Sequence, residues 1–275
     1  MKDSPQTADA YDLPHGRPPE GNNFAAIRAV TGFQLNRLMT KPRIAMGLVG
    51  ALFPAAVMFA VIRTAPINRD MTVAMIYALI PEALCVLGLL VTMCPVVADE
   101  LERGTWIHVT VRPGGRQSLL FGTFAAAVIW TGGVSLVSLM LTLLIAQPTQ
   151  PIGLVVMFTV LIGISCIGRA ALFAVPAVIL PKRALIASVG VALVVEYFAG
   201  LLPAVVNQVT VSLRLRSLLV EWMAWRKDLP IEMTLFVDDY SAPVQIAAVC
   251  ILVCILLTTA GFILNRRQFP PSVEN

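Results

Sequence analysis

The stretch IGLVVMFTVLIGISCIGRAALFAVPAVIL, residues 152–180, holds a single charged side chain, Arg169, in an otherwise apolar run. About 20 helical residues cross a hydrocarbon core about 30 Å thick, so this run spans it with length to spare. Five more segments read the same way, at about 44–62, 73–98, 118–146, 184–203 and 246–264. The composition agrees, with 57% hydrophobic and 13% charged residues. Soluble domains carry roughly 25% charged residues, and a fold this poor in charge could not cover its own surface with polar groups. The fold class implied is an all-α membrane protein with six transmembrane helices and an N-terminal helix at the membrane interface.

Short connections set the neighbours. Gln147 to Pro151 joins the third and fourth segments, and Pro181-Lys182-Arg183 joins the fourth and fifth, so both pairs form antiparallel hairpins. Orientation follows from lysine and arginine placement. With the N-terminus inside, the inner segments hold all the basic residues except Arg63, Arg69, Arg169, Arg214, Arg216, Arg226 and Lys227. The reading is a multi-pass protein of the cell (inner) membrane with both termini cytoplasmic.

Residues 1–22 are polar and proline-rich, with no apolar h-region of a signal peptide, and read as a disordered cytoplasmic tail. A helix over 23–43 places Phe24, Ile27, Thr31, Leu35 and Leu38 on one side and Arg37 off it, until Lys41-Pro42-Arg43 breaks it. Such a helix either lies in the interface or is a solvated lead-in. The membrane domain runs over 44–267, and 268–275 is a second cytoplasmic tail. In the long outer loop, 204–245, Val211, Leu215, Leu218, Trp222 and Trp225 step by 4, 3, 4 and 3 along one helical stripe. That stripe suits either the outer interface or packing on the outer ends of the spans.

Glu82, Arg169 and Glu196 lie inside spans, where ionisable side chains are costly and point to function. Arg169 precedes Lys182 by 13 residues and Glu196 follows Arg183 by 13. At 1.5 Å per residue both sit roughly 20 Å from the shared loop, level on adjacent helices, and should pair. Glu82 follows Pro81, a potential kink, and has no evident partner. It faces a translocation path or a subunit seam, or else reaches water near the outer surface.

The inner loop between the second and third spans reads Asp99-Glu100-Leu101-Glu102-Arg103-Gly104-Thr105-Trp106 and continues to Arg112-Pro113-Gly114-Gly115-Arg116. Three carboxylates crowd a helix C-terminus, where the macrodipole favours cations, so something should compensate them. Gly104 suits a helix stop, Thr105 can cap a short helix over 106–111, Arg112-Pro113 ends it, and Ser118 can cap the third span. A short crosswise helix carrying Trp106 and His108 suits docking to a soluble partner. An inner loop ordered by its own ion pairs, such as Glu102 with Arg116, is the plainer reading.

The pattern Glu-x-Glu-Arg-Gly-Thr, followed by Pro-x-x-Arg between the second and third spans, resembles the membrane subunits of type-2 ABC transporters. The matching positions are Glu100, Glu102, Arg103, Gly104, Thr105, Pro113 and Arg116. The layout over about 23–267 matches too, with an interfacial helix, six spans, inside termini and a helical outer loop between the fifth and sixth. Gly114-Gly115 departs from the bulkier residues common there. The resemblance implies that this loop forms a coupling helix docking on an ATP-binding subunit, with Trp106 and Arg112 in the same surface. It implies a second copy of this chain or a related permease, export as the direction, and no cofactor here, with ATP and magnesium on the partner. The sequence contains no Gly-x-x-x-x-Gly-Lys-[Ser/Thr] phosphate loop of its own.

Other classes fit less well. The two histidines, His15 and His108, fall outside the spans and no aspartate falls inside one, which argues against an intramembrane protease. Nothing in the sequence points to nucleic acid. A stand-alone secondary transporter lacks the expected internal repeat, and a non-transporting scaffold would leave the inner loop unexplained. All five cysteines lie in apolar runs and read as packing residues rather than disulfides or metal ligands.

Overall fold

Helix follows helix along the chain, with no strand among the described residues. The computed structural model describes residues 23–64, 68–102, 114–148, 151–198, 210–225, 237–238 and 240–267. The helices are α1 (Asn23–Leu38), α2 (Lys41–Thr64), α3 (Arg69–Tyr77), α4 (Cys85–Met93), α5 (Ala98–Glu102), α6 (Gly115–Ala146), α7 (Pro151–Ile179), α8 (Ala184–Val191), α9 (Val211–Trp222) and α10 (Ala242–Arg266). A π-helix, Ala78–Leu84, and a 3₁₀ turn, Cys94–Val96, fuse α3, α4 and α5 into one rod, and a second π-helix, Ala192–Phe198, extends α8. Among the described residues five runs are long and apolar enough to cross a membrane: Lys41–Thr64, Arg69–Leu101, Gly115–Ala146, Pro151–Ile179 and Ala242–Arg266. The chain is an all-helical, multi-pass membrane protein. The expected span at 184–203 is described only to residue 198, as eight residues of α-helix and seven of π-helix, and does not reach spanning length there.

Several boundaries move for identifiable reasons. The break expected at Lys41–Arg43 falls at Met39–Thr40 instead. Pro42 sits in the first turn of α2, where its missing N–H costs no helical hydrogen bond, so it starts the span rather than ending α1. Gly114, with φ 72°, rather than Ser118, precedes α6, and the Ser118 amide donates to its carbonyl at 2.9 Å. The left-handed region suits glycine there.

The long helices α6 and α7 form the centre. Both α1 and α2 pack on α6, α10 packs on α7, and α4 packs on both α6 and α7. The contact of α1 uses Ile27, Val30, Gln34 and Leu38, while Phe24 of the expected stripe is exposed. Gly122 of α6 permits it, since a Cβ there would lie 2.6 Å from the Val30 side chain. Close backbone approach at small residues replaces the hydrophobic drive that lipid removes. Two apolar clusters fill the interior, one including Leu89, Leu120 and Ala174, the other including Met58, Leu139 and Phe158.

Residues 27–38, 99–100, 116, 179 and 264–267 meet at one end of the bundle. There Arg37 pairs with Asp99 and Glu100. Arg116 Nη1 donates to the carbonyls of Leu264, Asn265 and Arg267, and Arg267 donates to that of Ile179. At the opposite end α9 is buried nearly all round against α7 and α10, not on one stripe alone. Arg214, expected off the stripe, is buried and pairs with Asp238 at 2.6 Å and Gln245 at 2.7 Å. The Trp225 indole N–H holds Asp70 at 2.9 Å, fastening the helix to the start of α3.

Candidate functional site

At the boundary of the two apolar clusters, where Cys166 belongs to one and Ala170 to the other, lies the guanidinium of Arg169. Its side chain is completely buried. Arg169 Nη2 pairs with Glu82 Oε2 and, at 3.3 Å, with Glu196 Oε2, to which Nε also donates at 3.4 Å. Nη1 donates to Ser165 Oγ at 2.6 Å and to the carbonyl of Pro81. The partnership of Arg169 with Glu196 follows the level argued from the sequence. Glu82 corrects its expected isolation: it shares the same guanidinium and accepts from the Tyr77 hydroxyl at 2.6 Å.

Local backbone geometry delivers these groups. Glu82 and Glu196 each sit in a π-helix, Ala78–Leu84 and Ala192–Phe198. Pro81 would clash with the carbonyl four residues back in an α-helix, and the wider π turn relieves that conflict. The Cys85 amide then turns to the carbonyl of Ile80. Pro81's own carbonyl is open to Arg169 and to the Ser165 hydroxyl, the latter at 2.8 Å. Ser165 precedes Arg169 by one turn of α7, so both point the same way.

The third wall comes from α9. Thr210 caps α9 by accepting from the Leu213 amide at 3.2 Å, and Glu196 takes the next free donors, the amides of Val211 at 3.2 Å and Ser212 at 3.1 Å. The Ser212 hydroxyl bridges Glu82 and Glu196 and accepts from Arg169 at 2.9 Å. A carboxylate at a helix N-terminus satisfies orphan N–H groups and complements the positive end of the dipole. That end offsets the second carboxylate facing a single arginine. Val211 reaches this depth because Gly168 carries no side chain; a Cβ there would lie 3.0 Å from both Val211 methyl groups. Four elements are tied at one point: the π turn before α4, α7, the π turn after α8, and α9. The arrangement fixes the mutual position of these elements. Among the described residues no group of three or more His, Cys, Asp and Glu could hold a metal ion.

The docking residues expected from the sequence divide. Arg103, Gly104, Thr105, Trp106, Arg112 and Pro113 lie outside the described residues, as does the helix expected at 106–111. Glu102 ends α5. Glu100, expected to face a partner, is buried at 6% exposure and bonded to Arg37 at 3.3 Å. Arg37, expected off the working face of α1, supplies the cation for two of the crowded carboxylates, Asp99 and Glu100. The Arg116 guanidinium caps the carbonyl end of α10, a favourable place for a cation. Of the described residues on either side of 103–113, Asp99 and Glu100 are thus tied to α1 and Arg116 to the end of α10. Comparison with family models, curated proteins and solved structures returns no match.

Sequence reasoning missed Tyr77, Ser165, Ser212 and Arg37. Ser165 was legible as the helical neighbour of Arg169. Tyr77 was not, because a five-residue spacing faces Glu82 only when the helix widens. Ser212 and Arg37 depend on how separate helices approach, which no local pattern carries.

Proposed function

We propose that this chain is the membrane-spanning permease subunit of an ATP-driven ABC transporter of the type-2 class, working as an exporter. In this reading segment 103–113, which includes Trp106 and Arg112, docks on a separate ATP-binding subunit, and two permease subunits form the path. The observation that supports it is the fastening of the described residues on either side of that segment. Arg37 links its leading side to α1, and Arg116 links its trailing side to the end of α10. A push on the segment therefore reaches two helices that pack on α6 and α7. The buried cluster extends the same rigidity to the outer helix. In this arrangement Glu100 and Arg116 act as anchors, and the contact with the partner falls to residues between them.

A photo-reactive amino acid at position 106 tests the reading. It should cross-link a soluble polypeptide that carries a Gly-x-x-x-x-Gly-Lys-[Ser/Thr] motif and hydrolyses ATP, and Arg112→Glu should abolish the adduct. Cross-linking to lipid alone would refute it. A mid-membrane ionisable cluster also favours a stand-alone ion-coupled carrier. That reading predicts solute flux driven by an ion gradient in vesicles containing this chain alone, without ATP.

A further inference from the structure

Between the second span and the start of α8, at the same end of the bundle as α1, lies an open groove of about 450 Å³. One wall is Leu90, Val91, Cys94 and Ala98, and the other is Leu185 and Ile186, with Lys182 and Arg183 at the mouth. From Leu90 to Ala98 the wall runs roughly 12 Å along the helix axis. Its rim is open to the surroundings of the bundle, Val91 at 43% exposure and Ile186 at 73%.

The two ends of the groove have opposite chemistry. Lys182 and Arg183 are exposed, and no acidic partner of either occurs among the described residues. Asp99 also borders the groove, but its carboxylate is held by Arg37. The N-terminus of α8 opens at the same place, with Arg183 in the cap position and no side-chain acceptor for the first amides. A 3₁₀ turn, Pro181–Arg183, leads into α8 there, and the positive end of the helix dipole favours an anion. Apart from these two cations and Asp99, the lining is apolar. An anion alone would leave that lining empty, and an apolar chain alone would leave the cations idle.

We infer that this groove binds an anionic glycerophospholipid, its phosphate held by Lys182 and Arg183 and one acyl chain lying between Val91 and Ile186. Basic pockets between membrane helices on the cytoplasmic side recognise anionic headgroups in this way. The inference is independent of the transporter reading, since it rests on the groove and its two cations alone.

Native mass spectrometry of the full chain released from nanodiscs tests it, using equal phosphatidylglycerol and phosphatidylcholine of matched acyl chains. The wild type should retain phosphatidylglycerol selectively. Lys182→Gln with Arg183→Gln should cut that retention roughly 25-fold, each cation contributing about fivefold. Ile186→Ser, which keeps both charges, should also lower it by shortening the apolar wall. Inorganic phosphate at about 10 mM should displace nothing. Equal retention of the two lipids by the wild type, unchanged selectivity in the double variant, or displacement by phosphate would each overturn the assignment. All three substituted side chains are exposed, so the variants should fold.

Discussion

Replacing Arg169 by methionine should loosen the bundle more than any other single change in the spans. Methionine fills much of the same volume but leaves Glu82 and Glu196 facing one another without their shared cation. Removing one partner of a buried ion pair costs about 3–5 kcal/mol, because the survivor is left charged and unpaired. Here two carboxylates are affected, with side chains only 12% and 1% exposed. Glu196 keeps the Val211 and Ser212 amides and Glu82 keeps Tyr77. These remaining donors hold the cost within that range, and the population of open states should rise by roughly two to four orders of magnitude, at about 1.36 kcal/mol per decade. The assay is built into the chain. Cys85 and Cys166 are fully buried one turn from Glu82 and Arg169, with their sulfurs 3.7 Å apart. In a background where Cys94, Cys250 and Cys254 are alanine, their labelling by a membrane-permeant maleimide should accelerate by the same factor. Combining Arg169→Met with Glu82→Gln and Glu196→Gln should return the rate to within about tenfold of wild type, since a neutral set has no charge to strand. A folded single variant with wild-type labelling, or a triple variant as labile as the single, would refute the reasoning.

Other expectations follow from the same contacts. Glu196→Ala should release the first turn of α9, raising amide exchange at Val211 and Ser212 by about 5- to 150-fold, as loss of partners for buried N–H groups costs about 1–3 kcal/mol; unchanged protection would contradict the cap. Gly168→Val should wedge α9 away from α7 at a cost of about 1–3 kcal/mol for overpacking, read as faster Cys166 labelling with Val211 exchange rising in step. Arg37→Ala should free α1 from Asp99 and Glu100, so limited proteolysis at Met39–Thr40 should quicken while exchange within α7 stays as in wild type. Gly122→Leu should produce the same proteolytic phenotype by a different route, through the clash with Val30.

The spans were readable because hydrocarbon imposes a length and an apolar composition, and runs such as 152–180 meet both. The level of Arg169 with Glu196 was readable because a tight hairpin fixes the register of two helices from one counted loop. The place of Glu82 was not, because its approach depends on a π turn at Pro81 that shifts the face of the helix by one residue. Helix α9 shows a similar limit. Its stripe of Val211, Leu215 and Leu218 gave one packed face, whereas the structure buries Ser212, Arg214 and Ser217 as well, each with a polar partner on a distant element. At 99–102 the need for a compensating cation followed from electrostatics, but its source in Arg37 of α1 follows only from how α1 packs on α6 at Gly122.

The proposal that this chain works as one half of an ATP-driven machine is tested most directly by purifying it, tagged, from its native membrane in mild detergent. The preparation should contain a stoichiometric soluble subunit with a phosphate-binding loop, hydrolyse ATP, and lose both when Trp106→Ala and Arg112→Glu are combined while the spans remain folded. A monodisperse, folded preparation with no such subunit and no ATP hydrolysis would contradict the account.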